Sequence, residues 1–240
     1  MRAVPGSAGE QRPVLIKRAV RLSEVLKGMS AAELKSLMHL SPKLAGSTHS
    51  LIERWTADPD AQTPAIDAFQ GDIFRGLRAN TLSADDRAYA NEVLRILSGL
   101  YGILRPFDGI TPYRLELMYP LAADESRNLY EFWGAAVAET LPKDGLIVDA
   151  ASDEYARLVR PFVDPGRIVE PQFLTQMSAD VEPTFVVVHA KIARGAYARW
   201  LVTSRITDPA RFGEFVDLDW VYDPEMSTLE KPVYIKRLAG

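Results

Sequence analysis

Arg105, Tyr113, Arg114 and Glu116 crowd one stretch of this 240-residue sequence, LSGLYGILRPFDGITPYRLEL, residues 97–117. Pro106 should end a helix, and Pro112 biases Thr111 toward extended backbone. The four polar side chains then fall on a rigid, non-helical path. Such a path makes an anion clamp. It equally suits an Arg114 and Glu116 that interact with buried neighbours and hold structure only.

Three further stretches carry chemistry. In AAELKSLMHLSPKLAGSTHSLIERW, residues 31–55, two helices flank a hairpin expected at Lys43, Leu44, Ala45 and Gly46. The N–H groups and the lysine of such a hairpin hold a phosphate without reading sequence; a plain pair of packed helices gives the same pattern. In DAASDEYARLV, residues 149–159, Ser152, Asp153, Glu154 and Tyr155 follow a buried strand, where sites collect. Capping by Ser152 and the helix dipole account for the acids, which leaves Tyr155. In AKIARGAYARWLVTSR, residues 190–205, Lys191 and Arg194 share a helix face, with Arg199 off that stripe and Arg205 beyond. They bind an anion at a strand end or form a solvated face. His189 stands at the expected strand end, either as a satisfied buried histidine or as a base.

Composition narrows the classes. The net charge is −4 and charged residues make up 25%, so a globally basic nucleic-acid binder is not implied, though a local basic face is. The absence of cysteine removes disulfides, thiolate metal sites and a thiol nucleophile. With three histidines, His39, His49 and His189, a three-histidine metal site would need them all. No metal site and no cofactor is implied by any motif. No secretory signal opens the chain and no apolar run reaches membrane-spanning length, so a cytoplasmic protein without a membrane partner is expected.

The elements that must position these residues read as helices first, then strands mixed with helices. Residues 1–13 read as a flexible tail and 14–240 as a single domain. Ser30 with Glu33 forms a capping-box signature, and Ser47 is the expected cap of the next helix. TPAIDAFQGDIFRGL, residues 63–77, reads as two short helices. Residues 82–104 read as the strongest helix, capped by Ser83, and 126–141 as another, capped by Ser126. GLIVDA, GRIVEPQFL, TFVVVHA, GEFVDLDWVYDP and KPVYIKRL read as strands. The expectation is an α+β fold, a mixed sheet wrapped by helices.

FQGDIFRGL, LSGLYGILRPFDGITPYRLEL, NLYEFWG, ASDEYARLV and AKIARGAYARWL together resemble the YaaA family of bacterial proteins, also called DUF328 or UPF0246, in order and spacing from about Leu34 to the C-terminus. The resemblance implies a compact α+β fold with a positively charged cleft and a helix-hairpin-helix element. It implies a cytoplasmic, DNA-binding protein of the peroxide stress response that also lowers free iron. Carried onto this chain, the hairpin is LSPKLAG with Lys43 and Gly46. Arg105, Tyr113, Arg114, Lys191 and Arg194 are inferred to line the cleft. Two departures stand out: the family's N-terminal SPAKT-like segment has no counterpart here, and His189 replaces an aromatic residue before Ala190-Lys191.

Two functions follow as expectations. The first is a protein that binds double-stranded or branched DNA through phosphates, with affinity falling steeply with salt. The second is an enzyme acting on a small anionic ligand. There His189 or Glu154 is the general base, with Tyr155 beside them, and the cations hold a carboxylate or phosphate. Direct iron binding would need carboxylates such as Asp153 and Glu154.

Overall fold

The computed structural model describes residues 1, 10–58, 62–178 and 180–238. In chain order the elements are α1 (Ile16–Lys27), α2 (Ala31–Leu37), α3 (Pro42–Glu53), β1 (Thr63–Pro64), α4 (Ala65–Ala68), α5 (Asp72–Leu77), α6 (Ala84–Val93), β2 (Ile96–Ser98), β3 (Gly102–Leu104), β4 (Gly109–Ile110), α7 (Leu129–Trp133), β5 (Ile147–Val148), α8 (Asp153–Ala156), β6 (Ile168–Val169), β7 (Gln172–Gln176), α9 (Val187–Thr203), β8 (Trp220–Tyr222) and β9 (Val233–Arg237). The class is α+β, with small sheets among helices. The chain forms two compact units built from separated segments. The first holds residues 1–69, 95–142 and 152–162; the second holds 70–94, 143–151 and 163–240.

In the first unit, Ser30 and Glu33 make the expected capping box on α2. The next helix is capped six residues earlier than expected, at Ser41. Ser41 accepts from Leu44 N, and Pro42, preset for helical φ, occupies the first turn. Lys43, Leu44, Ala45 and Gly46 therefore lie inside α3 rather than forming a hairpin between helices. The α2–α3 connection is residues 38–41.

The long helix expected over 82–104 also changes. Ser83 caps it as expected, but it ends at Val93, and Leu94 turns extended. Residues 96–104 form an antiparallel hairpin, with Ile96 opposite Leu104 and Ser98 opposite Gly102. Two glycines decide this. A Cβ on Gly99 would come within 2.4 Å of the Leu115 carbonyl oxygen. Gly102 has φ +71° and lies against the Trp133 ring, at 2.8 Å from an added Cβ. Trp133, Tyr101, Leu100 and Leu104 are fully buried here. The next helix, α7, is capped by Asn128, whose Oδ1 accepts from Glu131 N at 3.0 Å. Ser126, its expected cap, is paired with Ala123 in a tight turn.

In the second unit β7, β9 and β8 form a mixed sheet in that order, parallel then antiparallel, with Phe173 opposite Tyr234. Those two rings stack at 5.2 Å and 16°. Tyr197 of α9, Phe215 and Trp220 complete the core. GRIVEPQFL is split at Pro171 into β6 and β7. TFVVVHA is not a strand: Thr184 makes a single bridge to Thr175, and α9 starts at Val187. The reason is packing. Ala190, Ala193 and Ala196 turn into the sheet core, and the same helix seats α5 so closely that Gly76 and Gly195 face opposing main chain. Val187 and Val188 are left exposed. The flexible tail expected over 1–13 falls largely on residues outside the described set, but Gln11 pairs with the 107–109 turn: its N–H donates to Phe107 O and its carbonyl accepts from Gly109 N.

Candidate functional site

The segment 97–117 is held by hydrogen bonds that its sequence only hints at. Ser98 Oγ accepts from Tyr101 N at 2.9 Å and lies 2.6 Å from the Tyr113 hydroxyl. The Tyr101 hydroxyl accepts from Trp55 Nε1 at 2.9 Å and from Thr111 N at 3.0 Å. Tyr101 and Tyr113 meet edge to face at 5.5 Å. Burial pushes the Tyr101 hydroxyl up to about 12 and the Tyr113 hydroxyl well above its ordinary range. Tyr113 is thus a core residue with a satisfied hydroxyl.

Arg105 closes on Asp108, which accepts from Arg105 N at 2.8 Å, Nη2 at 2.8 Å and Nε at 3.1 Å. Arg105 also donates to the Arg12 carbonyl. Its guanidinium is committed to a buried carboxylate, so it acts as a structural partner of the turn.

Arg114 differs. It is half-buried and hydrogen-bonds the Tyr119 hydroxyl, while its buried Nε–H meets no acceptor among the described residues. Tyr119 in turn lies within electrostatic reach of Glu116 and Glu154. Tyr155 lies within electrostatic reach of Glu154, Glu116, Tyr119 and Tyr130, and burial, then those neighbours, raise its hydroxyl far above its ordinary value. Glu154 Oε1 accepts from Leu117 N at 2.9 Å and Met118 N at 3.3 Å, and its carbonyl accepts from the Tyr130 hydroxyl at 3.1 Å. The Arg157 guanidinium lies 4.2 Å from the Tyr130 ring centroid, a cation–π contact. Ser152 precedes α8 but makes no side-chain capping bond. Asp153 pairs with Arg160. Among the described residues no group of three or more acidic or histidine side chains could hold a metal ion.

Lys43 sits exposed in the first turn of α3, a 12-residue helix without an acid in that turn. Lys43 has no ion pair or side-chain hydrogen bond among the described residues. Gly46 is exposed one turn on, with nothing within 4 Å of an added Cβ. A separate cavity of about 650 Å³ lies between Lys17, Arg18 and Arg21 of α1 and the 124–126 turn, and no residue singled out from the sequence lines it. Arg18 there donates to the Phe132 and Trp133 carbonyls, and Arg21 pairs with Asp124 and Glu24.

In the second unit His189 is in the first turn of α9, not at a strand end. Its Nδ1 lies 2.9 Å from Thr175 Oγ1, a partner that fits the satisfied histidine. Lys191 is exposed on the same helix. The Arg194 guanidinium lies 5.9 Å from the ring centroid of Phe185, which is 53% exposed. Arg199 donates to the carbonyls of Leu77, Arg78 and Thr81, and Arg205 pairs with Asp86. Sequence reasoning missed Tyr119, Tyr130 and Phe185. The signal for Tyr119 was its place just past the PYRLEL motif; Phe185 carried none. No helix among the described residues is long and apolar enough to cross a membrane.

Comparison with known proteins accounts for this combination of motifs. Residues 2–226 match the family model described as peroxide stress protein YaaA. A UPF0246 protein of Salinispora tropica is 51% identical over 98% of this chain and 90% of its own length. UPF0246 proteins of Ralstonia nicotianae and Roseobacter denitrificans are 39% and 38% identical, over 95% and 94% of this chain and 91% and 90% of their own lengths.

Proposed function

The chain belongs to the peroxide stress protein YaaA family, and we propose that it serves that response by binding the phosphate backbone of DNA without reading sequence. The observation that carries this is Lys43. It is an exposed, unpaired cation, among the described residues, in the first turn of a helix whose N-terminus is free of acid. Helix N-termini favour phosphate through their free N–H groups and dipole, and the lysine adds a charge. Exposed Lys191, with Arg194 beside Phe185, supplies a second set of cations on the other unit. Arg105 has no part in it, because Asp108 occupies it.

Fluorescence anisotropy with labelled duplex and branched DNA across a salt series tests the proposal. A side chain that neutralises one phosphate contributes about 0.9 to the magnitude of the log–log salt slope. Lys43→Glu and Lys191→Glu should each weaken binding and shrink that slope by about this amount, while leaving thermal stability unchanged. No binding by the wild type at low salt would discard DNA as the ligand.

A second reading, an enzyme acting on a small anionic substrate, is favoured by Arg114, whose buried Nε–H lacks an acceptor among the described residues. Tyr155 and Glu154 accompany it in the first unit. His189, oriented by Thr175, is the general-base candidate of the second. Calorimetric titration with small carboxylates and phosphates tests whether any such ligand binds.

A further inference from the structure

Three cations of α1 line one cavity of the first unit. Lys17 and Arg21 are four residues apart, and Arg18 and Arg21 three apart, so they share a face of the helix. Facing them are Asp124, Glu125 and Ser126, and Phe132 adds an apolar wall. The volume, about 650 Å³, is that of a small-molecule site. Both sides are held by the fold. Ala123 and Ser126 exchange main-chain hydrogen bonds at 3.1 and 3.0 Å, which fixes Asp124 and Glu125 at the corner of a tight turn. Arg18 is tied to α7, the helix that carries Phe132: its Nη1 donates to the Phe132 and Trp133 carbonyls at 2.6 and 3.3 Å, and its Cζ lies 5.8 Å from the Phe132 ring centroid.

The partners already made narrow the ligand. Arg21 pairs with Asp124 at 2.7 Å and with Glu24 at 3.2 Å, so its charge is met. The acceptors of Arg18 carry no net charge, and its Nε and Nη2 make no hydrogen bond among the described residues. Lys17 is exposed and has no ion pair or side-chain hydrogen bond among them. Two adjacent cations therefore line the cavity without a counter-charge, and the fold has already ordered one of them, which removes part of the entropy cost of binding. A phosphate monoester brings close to two negative charges at neutral pH, and the Nε–Nη2 edge of a guanidinium meets two of its oxygens side by side. At the turn, exposed Glu125 has no partner among the described residues. Its carboxylate repels a second anionic group and accepts from hydroxyl groups. We propose that the cavity between α1 and the 124–126 turn binds a hydroxyl-bearing phosphate monoester of the sugar phosphate class. Lys17 and Arg18 take the phosphate, and Glu125 and Ser126 take the hydroxyls. Neither Lys43 nor Arg114 lines this cavity, so the site goes beyond both functional readings and stands apart from them.

Calorimetric titration of the full chain at constant ionic strength tests it, with inorganic phosphate, ribose, and ribose phosphorylated on its primary hydroxyl. The sugar phosphate should bind saturably and at least about tenfold tighter than inorganic phosphate, and ribose should not bind. Lys17→Ala, at an exposed position without partners, should weaken the sugar phosphate at least about tenfold with an unchanged melting temperature. Glu125→Ala should remove the advantage over inorganic phosphate. Lys43→Glu, which tests DNA binding, should leave the affinity for the sugar phosphate unchanged. Inorganic phosphate binding as tightly as the ester, or an advantage that survives Glu125→Ala, would overturn the ligand class. No saturable binding, or binding that Lys17→Ala leaves intact, would overturn the site. Loss of binding in Lys43→Glu would put the phosphate on α3 and overturn it as well.

Discussion

The Asp108 carboxylate, with 1% of its side chain exposed, accepts three N–H groups from Arg105, one from the main chain and two from the guanidinium. The pair closes the 105–108 turn that joins β3 to β4, so an arginine that reads as a ligand clamp is the lock of a turn. Removing one partner of a buried pair leaves the other charge uncompensated, at about 3 kcal/mol or more. Arg105→Ala should lower the urea midpoint accordingly, and any loss of DNA binding should follow the unfolded fraction. A variant of native stability that no longer binds DNA would return Arg105 to the binding surface.

The packing of α5 on α9 makes a second test. A Cβ on Gly195 would stand 1.8 Å from the Ile73 carbonyl oxygen, and one on Gly76 2.0 Å from that of Ile192. The obstacle in both cases is main chain, which cannot swing aside. Gly195→Ala or Gly76→Ala should cost about 3 kcal/mol. Gly46→Ala is the contrast: it lies in α3 with open space around it, and should raise stability by about 0.5–1 kcal/mol through helix propensity. Equal effects at the three positions in denaturant unfolding would refute the close approach.

Alkaline pH provides a third. Burial holds the Tyr101 and Tyr113 hydroxyls in the neutral form, with Tyr101 pushed up to about 12. An unfolded tyrosine ionises near about 10. A folded value raised above the unfolded one gives stability that is complete below about pH 10 and is lost as pH rises toward 12. The melting temperature should therefore fall steeply above about pH 10, and Tyr101→Phe should flatten that fall. Tyrosinate absorbance rising near pH 10 for all nine tyrosines, with native circular dichroism, would contradict the burial.

Glu154 ties α8 to the segment after the PYRLEL motif through the Leu117 and Met118 amides. Glu154→Ala should cost about 1–3 kcal/mol and should speed hydrogen exchange at Leu117 selectively. Uniform exchange rates across residues 111–119 in wild type and variant would show that the carboxylate anchors nothing.

What the sequence determined by itself is the chemistry that acts over a few residues. Ser30 with Glu33 and Ser83 with Asp86 cap their helices as read, because a side chain reaches only the N–H groups of its own first turn. The motifs from FQGDIFRGL to AKIARGAYARWL pointed to the family by their order and spacing, and they carry Gly76, Gly99, Gly102 and Gly195, where an added Cβ would meet neighbouring atoms at 2.8 Å or less. Arg114, Glu116, Glu154 and Tyr155 were singled out from the sequence, whereas Tyr119, which partners Arg114, was not. Only tertiary structure decided between shapes of equal local merit. Residues 94–104 are apolar enough for a helix, and pairing of Ser98 with Gly102 against Trp133 made them a hairpin. The valines at 186–188 suit a strand, and the packing of α9 on the sheet core and on α5 made Val187 and Val188 the start of a helix. Whether Arg105 or Arg114 faced a carboxylate depended on the burial of Asp108. Burial is set by the whole chain, and a charge with no water around it takes the partner the fold supplies.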